Sequence, residues 1–213
     1  MLGDERKKTF HTFTMKGMFL AKRARQDMQP GITFLSTRTT EPTEEDWKKL
    51  VRILGYLKKT EDTVLTLEAD DHQRLVWHVD AAFGVHPDFR SHTGATFSMG
   101  KGCITSFSLK QKVNTRSSTK AELVLIDDVL AKIIWTLYFI QHQGFNVSAN
   151  MVYRDNTSSM KLEQNGKESS GKRTRHFNIK WFYVTDLIKR KLIKIEYCPT
   201  QDMIPDYMSK PTV

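Results

Sequence analysis

Four acidic residues, Asp80, Glu122, Asp155 and Asp206, each fall at an end of a segment whose pattern reads as regular structure. Carboxylates converging from separate elements are what metal-assisted phosphodiester hydrolysis needs. Two Mg²⁺ ions about 4 Å apart take oxygen ligands and keep positions open for water and phosphate. Strand ends and first helical turns suit this task because their backbone is fixed. Each acid also has a plain structural reading. Asp80 could cap a turn. Glu122 has the T-x-x-E spacing of a capping box with Thr119, Asp155-Asn156 could be an N-cap pair, and Asp206 could be an exposed helix residue.

The elements that must hold these acids can be read from periodicity. Leu75, Val76, Trp77 and Val79 form a strand run that Asp80 closes. Thr93–Met99 and Cys103–Ser108 flank Gly100-Lys101-Gly102, a hairpin signal, and Val64, Leu65 and Leu67 form a shorter β-prone run. A long helix is predicted from Thr119 to His142. Leu123, Ile126, Leu130, Ile133, Ile134 and Leu137 make its apolar stripe, and Gly144 ends it. Val147–Arg154 is a strand leading to Asp155. A short helix, a basic Gly/Ser loop, a helix from His176 to Lys189, a strand from Leu192 to Cys198 and a last short helix follow. Before residue 63 the chain reads as helical. Met15–Ala24 is one helical stretch, Pro30-Gly31 a break, and Thr43 the N-cap of an amphipathic helix carrying Trp47, Leu50, Val51, Leu54 and Leu57. The order gives an α/β class, with antiparallel strands first and parallel ones added.

The 213 residues carry 33 Lys and Arg against 24 Asp and Glu, a net charge of +9. Residues 1–70 hold 13 basic and 11 acidic residues, which leaves 20 and 13 in residues 71–213. The excess therefore lies with the predicted sheet, and a polyanionic partner fits it. Two basic clusters stand out, Lys167 with Lys172, Arg173 and Arg175, and Lys189-Arg190-Lys191 with Lys194. No apolar run approaches the ~18 residues of a membrane span, and the charged first residues are unlike a signal peptide. Cys103 and Cys198 are too few for a disulfide framework or a cysteine zinc site, and read as reduced core thiols of an intracellular protein.

Several motifs in series resemble the ribonuclease H domain of copia-type retrotransposon polyproteins. They are Val79-Asp80-Ala81, Ser117-Ser118-Thr119-Lys120-Ala121-Glu122, Tyr153-Arg154-Asp155-Asn156, Lys172-Arg173-Thr174-Arg175-His176, Glu196-Tyr197-Cys198-Pro199-Thr200 and Pro205-Asp206-Tyr207-Met208-Ser209-Lys210-Pro211. Order and spacing match over residues 74–213. Residues 8–60 look like the segment linking reverse transcriptase to ribonuclease H in such polyproteins. No paired-aspartate polymerase motif occurs, since Asp127-Asp128 lies mid-helix, so the chain reads as a C-terminal piece of a polyprotein.

The resemblance implies a ribonuclease H-like fold over residues 63–213. That is a mixed five-stranded sheet with flanking helices, preceded by a helical remnant of the connection region at 1–62. It implies hydrolysis of the RNA strand of an RNA–DNA hybrid. Asp80, Glu122, Asp155 and Asp206 would bind two Mg²⁺, with Mn²⁺ as substitute. Ser117, Ser118, Thr119 and Asn156 would contact the minor groove, where the 2′-hydroxyl marks RNA. Lys172, Arg173, Arg175 and His176 would contact backbone phosphates. The implied partners are the hybrid and a reverse transcriptase domain of the same or a related polyprotein. No membrane is implied, and the isolated domain is expected to be monomeric. Three residues depart from the family pattern. Lys120 replaces an acid, Pro205 replaces a small residue, and Arg154 is expected to face away from Asp155's side of the strand. Such changes suit a rival reading, a relic that binds nucleic acid without cutting it.

Overall fold

The computed structural model describes residues 1–70, 73–165 and 178–210, the side chains of residues 165, 178–182 and 206 excepted. Helices α1 (Asp4–Ala21), α2 (Gln29–Ser36) and α3 (Glu44–Lys59) form an N-terminal layer. α3 starts where its acidic first turn predicts. The Thr43 hydroxyl accepts from the Asp46 amide, and the Asp46 carboxylate accepts from the Thr43 amide. Pro30-Gly31 does not break the chain as expected. Pro30 sits in the first turn of α2, where its missing N–H costs no helical bond. α1 also begins well before Met15. Phe10, Leu35 and Leu50 make one buried cluster of this layer, and Ala21, Met28 and Ile32 a second.

The remaining elements are β1 (Glu68–Ala69), β2 (Arg74–Ala82), β3 (His92–Ser98), β4 (Gly100–Lys101), β5 (Thr105–Lys110), α4 (Ser118–His142), β6 (Ala149–Arg154), α5 (Thr157–Asn165), α6 (Asn178–Lys189), β7 (Lys194–Tyr197) and α7 (Asp206–Ser209). The main sheet runs β5-β3-β2-β6-β7. β2, β3 and β5 pair antiparallel, while β6 adds parallel to β2 and β7 parallel to β6. This is the ribonuclease H-like mixed sheet with flanking helices.

Leu75, Trp77 and Val79 of β2 and Val152 of β6 pack with Leu125, Ile126, Val129 and Ile133 of α4 in one core. Each such side chain contributes about 1.5–3 kcal/mol relative to exposure. That anchors α4, and so its first turn, against the ends of β2 and β6.

Two local readings differ from the sequence expectation. Val64, Leu65 and Leu67 are exposed and form no strand. Their segment runs beside the β3–β5 connection instead, and only Glu68–Ala69 pairs, with Gly100–Lys101. A Cβ at Gly102 (φ 78°) would lie 2.1 Å from the Thr66 carbonyl oxygen, so this close approach needs glycine. Cys198 is buried as expected, but Cys103 is only half-buried.

Candidate active site

Asp80 lies within β2 rather than at its end, since the strand continues to Ala82. Its ladder partner on β3 is Gly94. A Cβ at Gly94 would meet the Ser209 nitrogen at 2.7 Å and the Pro205 oxygen at 2.8 Å. The bare glycine therefore lets α7 lie directly on β3, and Ser209 donates its hydroxyl hydrogen bond to the buried Asp80 carboxylate.

Glu122 enters from the other side. The α4 N-cap is Ser117, whose hydroxyl accepts from the Lys120 amide at 3.3 Å. Gln111 fixes this turn to the sheet by donating to the Ala121 carbonyl (2.9 Å) and to the Thr93 hydroxyl (3.1 Å). Glu122 does not close a capping box with Thr119. Its Oε1 accepts from the Ala81 amide at 3.2 Å, and its Oε2 from Arg154 at 2.7 Å.

Asp155 follows the last residue of β6, and its Oδ2 accepts from the Thr200 hydroxyl at 3.1 Å. Its neighbour Asn156 does the capping. The Asn156 Oδ1 accepts from the Ser159 amide at 3.0 Å at the start of α5.

Asp80, Glu122 and Asp155 each offer a carboxylate oxygen, and these lie within 4.8 Å of one another. The cleft around them is lined by Ser118, Asn156, Thr200, Phe83 and Lys210. Burial pushes the Glu122 carboxyl up to about 7. The nearby Asp80 and Asp155 add to this, and Arg154 opposes it. Three acids this close repel unless a cation joins them, and an all-oxygen donor set fits a hard divalent ion such as Mg²⁺ or Mn²⁺.

Asp206 opens α7, the turn that carries Ser209, but its side chain lies outside the described residues. Lys172, Arg173, Arg175 and His176 also lie outside them. Thr119 and Lys120 are half-buried on the first turn of α4. Pro205 precedes α7 without abolishing it.

Arg154 faces the side of β6 that alternation predicts, and α4 brings Glu122 to that same side. It shares the helix-facing side of β6 with Val152, and its guanidinium runs under the cleft rather than away from it. It is fully buried and pairs with both Glu122 and Glu163. Burial alone would lower its pKa, but the two carboxylates hold it above its ordinary value. Alternation gives the face correctly, but it cannot show that α4 brings an acid to that face. Ser209, Thr200 and Gln111 also join the site only through tertiary contacts. The first two stand inside recognised motifs, and Gln111 carries no local signal.

No protein-family model matches the chain. A Pol polyprotein of the Nicotiana tabacum transposon TNT 1-94 is 26% identical over 187 residues, covering 87% of this chain and 14% of the polyprotein. That of the Arabidopsis thaliana transposon RE2 is 26% identical over 189 residues, covering 88% and 13%. The chain thus spans about one seventh of these relatives. Among solved structures, the foamy viral protease–reverse transcriptase is similar in fold. Its complex with double-stranded DNA gives a TM-score of 0.55 at 15% identity, over 93% of this chain and 35% of that one. Its RNA/DNA hybrid complex gives 0.52 at 16% identity, over 100% and 28%.

Proposed function

We propose that this homologue of copia-type Pol polyproteins, with its ribonuclease H fold, hydrolyses the RNA strand of RNA–DNA hybrids within a retrotransposon polyprotein. The observation that carries the reading is the convergence of Asp80, Glu122 and Asp155 from β2, α4 and β6. Asp206, at the start of α7, is the fourth ligand. These acids would hold two Mg²⁺ ions, or Mn²⁺ in their place, which when bound would supply an activated water and charge stabilisation at the leaving 3′ oxygen. The chain's own residues hold and orient. Ser209 fixes the Asp80 carboxylate, the Ala81 amide fixes Glu122, and Thr200 fixes Asp155.

Ser118 and Asn156 line the cleft and contact the minor groove together with Ser117 and Thr119, where the 2′-hydroxyl separates RNA from DNA. Lys172, Arg173, Arg175 and His176 grip backbone phosphates. Residues 1–62 are the tail of the connection region and 63–213 the nuclease unit, which works beside a reverse transcriptase domain of the same or a related polyprotein.

A second reading, a non-cleaving nucleic-acid binder, is favoured by one observation. A buried guanidinium already occupies one oxygen of Glu122. A labelled hybrid incubated with Mg²⁺ or Mn²⁺ separates the two. The nuclease releases RNA fragments with 5′ phosphate and 3′ hydroxyl ends, whereas the binder only retards the hybrid.

A further inference from the structure

We infer that Arg154 is a resident cation of the acidic cleft, competing with a divalent metal for Glu122 while Glu163 serves as its alternative partner; this rests on the metal-site reading above. The guanidinium is 0% exposed, so its charge is unscreened by water. It donates to the Glu122 Oε2 at 2.7 Å, to the Glu122 carbonyl oxygen at 2.8 Å, and to Oε1 of the equally buried Glu163. A metal joining the Glu122 carboxylate must share it with a fixed positive charge or displace that charge.

A second, independent observation shows where the displaced fork would go. Among the described residues, the Arg154 Nε and the Glu163 Oε2 are both buried without a hydrogen-bond partner. Such orphans are costly and need an explanation. A guanidinium turned fully onto Glu163 would satisfy both in a bidentate pair and release the Glu122 Oε2. Glu163 on α5 thus sets how firmly Arg154 holds Glu122.

Two variants move metal affinity in opposite directions, which general damage to the fold would not do. Glu163→Gln leaves Arg154 with Glu122 as its one carboxylate partner, so metal binding weakens. Arg154→Met with Glu163→Met removes the guanidinium and the carboxylate it would strand, so metal binding tightens. The measurement is calorimetric titration with Mn²⁺ alone, after circular dichroism has verified each fold. Asp80→Asn is titrated alongside to isolate binding at the cluster.

The expected order of affinity is double variant, wild type, Glu163→Gln. The double variant should gain and Glu163→Gln should lose about tenfold, at the lower end of the ~10–100-fold influence of groups around metal ligands. Glu163→Gln removes charge without volume, so this arm decides the matter if the double variant does not fold. Unchanged or reversed affinities, or no binding in any protein, would overturn the inference. Because no hybrid is present, a protein that binds in this order but never cuts RNA keeps this inference and loses the nuclease reading.

Discussion

At Asp155 the proposed chemistry and the fold make different demands, and a single substitution tells them apart. Asp155→Asn keeps the shape and the Thr200 contact but removes the charge proposed to bind metal. Cleavage should fall by more than about a hundredfold, beyond the range of residues that only surround metal ligands, while the melting temperature holds or rises as carboxylate repulsion is relieved. Gel-resolved cleavage rates beside a thermal melt read both quantities.

Stability should also depend on pH through a buried histidine. The buried His92 accepts or donates at both ring nitrogens, to His86 at 2.9 Å and to Ser108 at 2.8 Å. Burial and the neighbouring His86 push its pKa down to about 3. Above pH 6.5 it is neutral in folded and unfolded chains alike and adds no pH dependence. Below 6.5 the unfolded chain takes up a proton that the fold refuses, so stability falls as pH drops from 6.5 towards 3. Denaturant midpoints measured between pH 7 and 4 should decline, and His92→Gln should flatten the decline.

At the scale of elements, the site depends on how closely α7 can approach β3. Gly94→Ala places a methyl 2.7 Å from the Ser209 nitrogen, a backbone atom that cannot rotate away. The expected cost is about 1–3 kcal/mol, as for other overpacking substitutions. Loosening of Ser209 from Asp80 should show as weaker Mn²⁺ binding in the same protein. The long elements were the legible ones. The α4 stripe and the β6 run carry periodicity over enough residues to fix type and extent, and Ser117–Glu122 and Tyr153–Asn156 carry the family pattern. Elements set by tertiary contact were not legible. Val64–Leu67 has strand chemistry but finds no sheet edge to extend, and Pro30 reads as a breaker until it falls in a helical first turn. The Arg154–Glu122 pair was illegible for the same reason, because the register between α4 and β6 joins residues 32 apart in sequence.

At the scale of the molecule, the helical layer is joined to the five-stranded sheet by polar contacts across its edge strand. Gln29 exchanges hydrogen bonds with the backbone and hydroxyl of Ser106 on β5, and Gln26 donates to the Ile104 carbonyl at 3.3 Å. The Tyr207 hydroxyl on α7 donates to the Asp27 carbonyl at 2.6 Å, so the helices also brace the turn that begins with Asp206. Gln29→Leu strands the Ser106 groups in a buried interface and should cost about 1–3 kcal/mol. A single unfolding transition that moves as a whole would mark the two parts as one cooperative unit, whereas two separated transitions would mark them as independent.

The charge completes the picture. Most of the +9 lies in residues 71–213, so hybrid binding should weaken steeply with salt, as phosphate contacts release counterions.

One reaction decides whether the site at Asp80, Glu122 and Asp155 directs cleavage of RNA paired to DNA. The most direct measurement incubates the full chain and its Asp155→Asn variant with an end-labelled RNA–DNA hybrid in Mg²⁺, with a DNA duplex of the same sequence as control. The wild-type chain should fragment the RNA strand and leave the duplex intact, and the variant should cut little or nothing. Intact RNA with both proteins, in Mg²⁺ and in Mn²⁺, would rule out a nuclease at this cleft.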